Sequence, residues 1–221
     1  MWSKFQQRLL WILTYSPLII VMIYRFIAGN EFFGIDKWIK TKEWISIESV
    51  FISYMALEVY FILFILIYTY AIYKLAIKWF LSGYETRIVR GQEGEDFYIR
   101  KAEKLSANDY SFFLLTLLLP LISLDHSSIT NLVVSLLIIF FVISIYVNTD
   151  AISVCPILFF SGRKIYKGII STGEKQEEED NPALRKEVVF MIKKDKITFD
   201  KKVRGESLVN GFYYLTNNSE D

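Results

Sequence analysis

The stretch NTDAISVCPILFFSGRKIYKG, residues 148–168, begins where a long apolar run ends, and its reading decides the fold. It passes Asp150, Cys155 and Pro156 and closes in the basic cluster Arg163, Lys164 and Lys167. Three readings compete: a catalytic acid beside a thiol, an ion site inside a membrane, and the point where a helix leaves the bilayer. Asn148 and Asp150 are two residues apart and project about 200° apart around a helix, so they do not face one ion path. Proline biases Cys155 away from helical geometry, and cations follow within the length of two turns. That order suits a helix ending at a cytoplasmic interface, with Asp150 in water or paired with a lysine. Pro156 and Gly162 then form the hinge at the helix exit.

Composition supports a bilayer. Of 221 residues, 53% are hydrophobic and mean hydropathy is +0.32, above the level of ordinary soluble domains. The apolar residues are gathered in blocks near the ~20 residues a membrane span needs. Aromatics, 17% of the chain, crowd the block ends, as headgroup-seeking residues do. A net charge of +1 carries no nucleic-acid signal. One cysteine excludes an intrachain disulfide framework and a Cys-rich metal site.

The first block, LLWILTYSPLIIVMIYRFIA at 9–28, reads as an uncleaved span. The polar segment 30–49 follows, with Trp38 and Trp44 as anchors. The second block, 50–81, is too long for one upright crossing, so its last turns continue out of the membrane past Lys74 and Lys78. The third, FFLLTLLLPLISL at 112–124, is short and contains Pro120; alone it could be re-entrant. The fourth is NLVVSLLIIFFVISIYV at 131–147. If all four span, nineteen Lys and Arg share one side, against three in the first opposite loop and none in 125–130. Basic residues favour the cytoplasm. Four crossings with both termini cytoplasmic is the economical answer.

The expected fold is therefore an α-helical integral membrane protein with four transmembrane helices and a small β-rich cytoplasmic module. Residues 1–155 hold spans at about 9–28, 50–81, 110–125 and 131–153, with a cytoplasmic loop at 82–111. Residues 156–221 form the β-rich tail. Its strand-like runs are RKIYKGII, KEVVFMIKK, KITFDKKV and GFYYLTNN, with KDK as a hairpin turn between the second and third. YETRIVRG at 84–91 alternates like a strand and is a candidate to complete the module. STGEKQEEEDNP at 171–182 reads as a loop.

Chemistry-bearing residues are few. His126 lies alone in the outer turn, and Cys155 sits where thiols pack as small hydrophobes. No phosphate loop, nucleophile elbow or zinc-protease pattern occurs. An enzyme is not expected, nor a metal, a cofactor or direct nucleic-acid contact. Glu58, about two turns inside the second block, is a gate or sensor candidate facing Arg25, unless the block starts later and Glu58 lies near the headgroups. Asn148 and Asp150 are further candidates for sensing or gating. Arg87, Arg90, Arg163, Lys164, Tyr166 and Lys167 are the candidate residues for docking a partner. The acidic run EKQEEED either recruits a basic partner or is a solvated loop.

From residue 84 to about 170 the order of features resembles the KwaA family, the membrane subunit of the Kiwa antiphage defence system. The resemblance rests on SANDYSFFLLTLLLPLISLD, with Asn108, Tyr110 and Pro120 leading into the third span, and on the proline-centred exit. Pro156, Gly162 and Tyr166 match the family's Asn-Pro…Gly-Tyr…Tyr element. Cys155 stands where Asn is usual and Arg163 where Tyr is usual. The resemblance implies an inner-membrane sensor, a homo-oligomer with a tetramer as first guess, holding a soluble KwaB-like cytoplasmic effector and responding to membrane disturbance by phage. The competing functions are a small oligomeric channel or pore lined by Glu58 and Asn148, and an immunity or assembly factor for an exported protein.

Overall fold

The computed structural model describes residues 1–30, 54–90, 92–122, 128–193 and 197–217. Helix α1 (Lys4–Gly29) starts at a capping box: Gln6 N–H donates to Ser3 Oγ, and Ser3 N–H donates to Gln6 Oε1. Helix α2 (Tyr54–Leu81) turns through Gly83 into the short α3 (Tyr84–Val89). Strand β1 (Glu95–Lys104) precedes α4 (Ala107–Ile122) and α5 (Ile129–Asn148). Two 3-10 turns, Ile152–Val154 and Pro156–Ser161, lead to Gly162 at φ +69, a left-handed position that glycine adopts without steric cost. Then come β2 (Lys164–Ser171), α6 (Lys175–Asp180), β3 (Arg185–Ile192), β4 (Lys202–Val209) and β5 (Phe212–Asn217).

Among the described residues, three segments are long and apolar enough to cross a membrane: Lys4–Gly29, Val59–Ile88 and Ile129–Asn148. Four were expected. The third block is helical, but α4 has only 16 residues, about 24 Å against a hydrocarbon thickness of about 30 Å. Aromatic packing knits the helices together. Trp11 stacks on Tyr146 with ring centroids 4.3 Å apart, and Phe113 meets Tyr15 edge-on. The Thr116 hydroxyl lies between those of Tyr15 and Tyr146, while Tyr73 donates to the Thr14 carbonyl at 2.7 Å.

The strands close into a barrel in the order β1-β2-β3-β5-β4. All neighbours are antiparallel except β3 and β5. With β4 returning beside β1, this is a Greek key, the five-stranded plan that OB-type barrels use. Phe97, Ile99, Tyr166, Val188, Phe190, Ile192 and Leu215 fill its interior. The strand period of two sends Met191, between Phe190 and Ile192, outward into a second core shared with the helices. Gly168 is required where β2 crosses the irregular step of β1 between Ile99 and Lys101, because a Cβ there would overlap the Lys101 carbonyl.

Several expectations are corrected. YETRIV is the helix α3, not a strand; the strand that completes the module is 95–104, so the barrel draws on the loop 82–111 as well as the tail. The second and third tail runs do not form a hairpin, since β3 pairs with β2 and β5 while β4 pairs with β1 and β5; KDK at 194–196 itself lies outside the described residues. The run 171–182 is not only loop: KQEEED forms α6 behind a capping box of Glu174 and Glu177.

Candidate functional site

The helices and the barrel meet in one joint. Trp2 N–H donates to the Leu208 carbonyl of β4 at 2.6 Å, and its buried indole lies 5.5 Å from the Phe80 ring at the end of α2. Lys4 Nζ donates to the Val147 carbonyl at 2.7 Å and pairs with Asp150 at 2.6 Å, tying the start of α1 to the end of α5. Tyr110, in the first turn of α4, packs on Phe159 at 4.8 Å. Below this ring of contacts Ile152, Cys155, Ile157 and Leu158 are fully buried. The Cys155 thiol lies 3.1 Å from the Thr14 hydroxyl. The exit after α5 is therefore a packed plug between helices and barrel.

Arg163 is the electrostatic centre of the joint. Its guanidinium donates to Glu85 of α3 at 2.6 Å, to the Tyr214 hydroxyl of β5 at 3.0 Å and to the Ser161 carbonyl. Lys193, just past β3, reaches the other Glu85 oxygen at 3.0 Å. The two cations, at 2.6 and 3.0 Å, together balance the Glu85 carboxylate. One carboxylate thus fastens the helical turn after α2 to both flanks of the barrel.

Beside this node a cleft of about 640 Å³ opens between α2, α3 and the 3-10 turn. Lys74, Ile77, Lys78 and Leu81 of α2 form one wall, Glu85, Thr86 and Arg90 a second, and Phe160, Ser161 and Arg163 a third. The polar groups of the lining are the cations Lys74, Lys78, Arg90 and Arg163, the hydroxyls of Ser82, Thr86 and Ser161, and the Glu85 carboxylate. Among the described residues no group of three or more His, Cys, Asp or Glu gathers as a metal site would.

The structure distributes the sequence candidates unevenly. Arg163 and Arg90 line the same cleft. Arg87 pairs with Glu93 at 3.0 Å and covers the Tyr84 ring. Lys164 starts β2, and Lys167 pairs across the ladder with Glu187. Tyr166 is a correction: at 5% exposure it stacks on Phe190 inside the barrel and offers nothing to a partner. Arg163 is likewise held by its internal partners. Asp150, at φ +53, faces Lys4, while Asn148 is exposed at the end of α5. Arg25 is exposed on α1. The Glu58 side chain, and with it the proposed Arg25 pair, lies outside the described residues, as does His126.

Sequence reasoning missed a second lock. Glu178 of α6 has a fully buried carboxylate that accepts from Arg100 of β1 and from Arg185 of β3, each at 2.6 Å. Arg100 also pairs with Asp200 and donates to the Gly173 carbonyl. Burial would raise the Glu178 carboxyl, yet hydrogen bonds from Ser171, Arg185 and Arg100 bring it down to about 2. The acidic run EKQEEED is the segment that carries this lock.

A family model described as "Anti-phage protein KwaA" matches residues 6–215 of the chain. No curated protein and no solved structure matches it.

Proposed function

The chain belongs to the KwaA family of anti-phage proteins, and on that premise we propose that it is an inner-membrane sensor and scaffold holding a soluble effector of the KwaB kind. The observation that carries this reading is the core common to helices and barrel, in which Trp2, Phe80 and Val147 pack with Met191, Leu208 and Phe212. A barrel joined in this way follows any tilt of the helices. Mismatch between span and bilayer costs fractions of a kcal/mol per Å. Summed over several subunits it reaches a few kcal/mol, enough to bias a two-state assembly.

The barrel's own geometry supports four crossings. The chain leaves the sheet at Lys104 and re-enters at Lys164, and these ends are neighbours because Lys104 pairs with Tyr166. A crossing by α5 therefore needs a return partner, and α4 lies between the two strands. In the same way α1 starts at the joint and α2 ends there. The basic surplus supports a cytoplasmic barrel. The exposed aliphatic and aromatic faces of α2 and α5, such as Leu63, Ile67, Leu137 and Phe141, fit lipid or further copies of the chain.

Co-expression of the tagged chain with the candidate effector, followed by purification from detergent extracts, tests the scaffold. The effector is expected to co-purify and to be lost on truncation at Gly162. An effector that stays bound to the truncated chain contradicts docking through the barrel.

A further inference from the structure

We infer that the cleft between α2, α3 and the Pro156–Ser161 turn binds the phosphate of an anionic phospholipid. The inference deepens the membrane reading above and rests on α2 being a span.

The first observation is charge without a partner. Lys74, Lys78 and Arg90 all line the cleft, and none of them pairs with a carboxylate among the described residues. Lys74 lies over the Tyr70 ring at 5.5 Å and donates to its hydroxyl at 3.4 Å. The one carboxylate in the lining, Glu85, is already matched by Arg163 and Lys193. Arg163 is spent on Glu85 and Tyr214. The cleft thus has three cations in its lining, two from α2 and one from the end of α3, that no carboxylate among the described residues neutralises. An arginine fork beside two lysines suits a phosphate, which accepts bidentate and point-charge donors together.

The second observation is depth. Lys74 and Lys78 are the first cations on α2 after an apolar run from Val59 to Tyr73. They line the cleft together with Ile77 and Leu81, and amines on long apolar stems at the end of a span reach the headgroup layer. Trp79 is 63% exposed and Tyr70 56% exposed beside them, in keeping with an interfacial aromatic belt. Headgroup phosphates therefore lie at the level of the cleft mouth.

The third observation selects a lipid over a free phosphate. Ile77, Leu81 and Phe160 give the lining an apolar side, and exposed Leu66, which falls on nearly the same face of α2 as Ile77, continues it toward the membrane centre. A water-soluble phosphate uses the cations and gains nothing from that surface. A diacyl lipid uses both.

The test is retention of added lipid by the full-length detergent-solubilised chain, read by native mass spectrometry with phosphatidylglycerol and phosphatidylcholine. Phosphatidylglycerol is expected to be held preferentially. Each of Lys74→Gln, Lys78→Gln and Arg90→Gln should weaken it about fivefold, and the triple variant on the order of a hundredfold. All three side chains are exposed, so folding should survive; Lys101→Gln, on the barrel, should leave binding unchanged. Equal retention of the two lipids, or a triple variant that binds like the unsubstituted chain, overturns the proposal. So does glycerol 3-phosphate competing as strongly as the lipid. Fractionation of the same cells separates the two readings: a membrane-bound chain without headgroup preference ends the lipid proposal alone, and a chain soluble without detergent ends both.

Discussion

Arg163 and Glu85 are 78 residues apart in the chain and 2.6 Å apart in space. The pair joins the first turn of α3 to the start of the barrel, with Lys193 and Tyr214 completing it. Because the arginine is 14% and the carboxylate 33% exposed, the pair is drier than a surface ion pair but is not sealed. Glu85→Gln removes two charge-assisted bonds and leaves the guanidinium half-satisfied, at a cost of about 2 kcal/mol. Thermal unfolding in detergent should shift down accordingly, and an unchanged midpoint would mean that the joint does not depend on this pair.

Trp2 and Lys4 provide a contrast in magnitude at the other side of the joint. Trp2 is 3% exposed, so Trp2→Ala should cost about 3 kcal/mol through lost packing. Lys4 pairs with Asp150 but is half exposed, and Lys4→Gln should cost under about 1 kcal/mol. Denaturation of the two variants side by side checks the order. A Lys4 variant as damaged as the Trp2 variant would contradict the burial argument.

Glu178 predicts an acid limit for the barrel. Its carboxyl is held at about 2 in the folded chain, below the ~4.3 of a free glutamate. A depressed carboxyl adds stability that is complete above the unfolded value and is lost as pH falls through the folded one. The hydrogen-exchange protection factors of β2 and β3, taken relative to the intrinsic amide rate at each pH, should therefore fall between about pH 4.3 and pH 2. Glu178→Gln should remove this pH dependence and, by leaving Arg100 and Arg185 short of a partner, cost about 3 kcal/mol at neutral pH. Protection factors that stay flat across that range in the unsubstituted chain would refute it.

Gly168 faces the Lys101 carbonyl with no room for a Cβ. Gly168→Ala must part β1 from β2, with a cost of at least about 2 kcal/mol. Loss of protection along both strands is the expected result. Retained protection would show that the ladder yields more easily than its geometry implies.

How much of this was legible in the sequence follows from the range of the forces involved. The helices α1, α2 and α5 announce themselves because apolar residues cluster along the chain itself. The runs that became β2, β3 and β5 were legible for the same local reason. YETRIV was not, since six residues cover fewer than two helical turns and cannot tell a period of 3.6 from alternation. Its helical state depends on Gly83 turning the chain and on Ile88 reaching the shared core. The barrel order and the burial of Glu178 were equally hidden. Arg100 and Arg185 meet that carboxylate only after β1 and β3 have been brought beside β2. Of the cleft, Arg90 and Arg163 were picked out as candidates, whereas Glu85 became visible only as the partner of a distant arginine.

Everything proposed about sensing depends on the barrel lying inside the cell while the helices cross the membrane. A single added cysteine at Lys101, exposed on β1, measures this directly, because Cys155 is fully buried and gives little background. Spheroplasts treated with a membrane-impermeant maleimide should label the Lys101→Cys chain only after lysis. Labelling in intact spheroplasts would put the barrel outside and contradict the account.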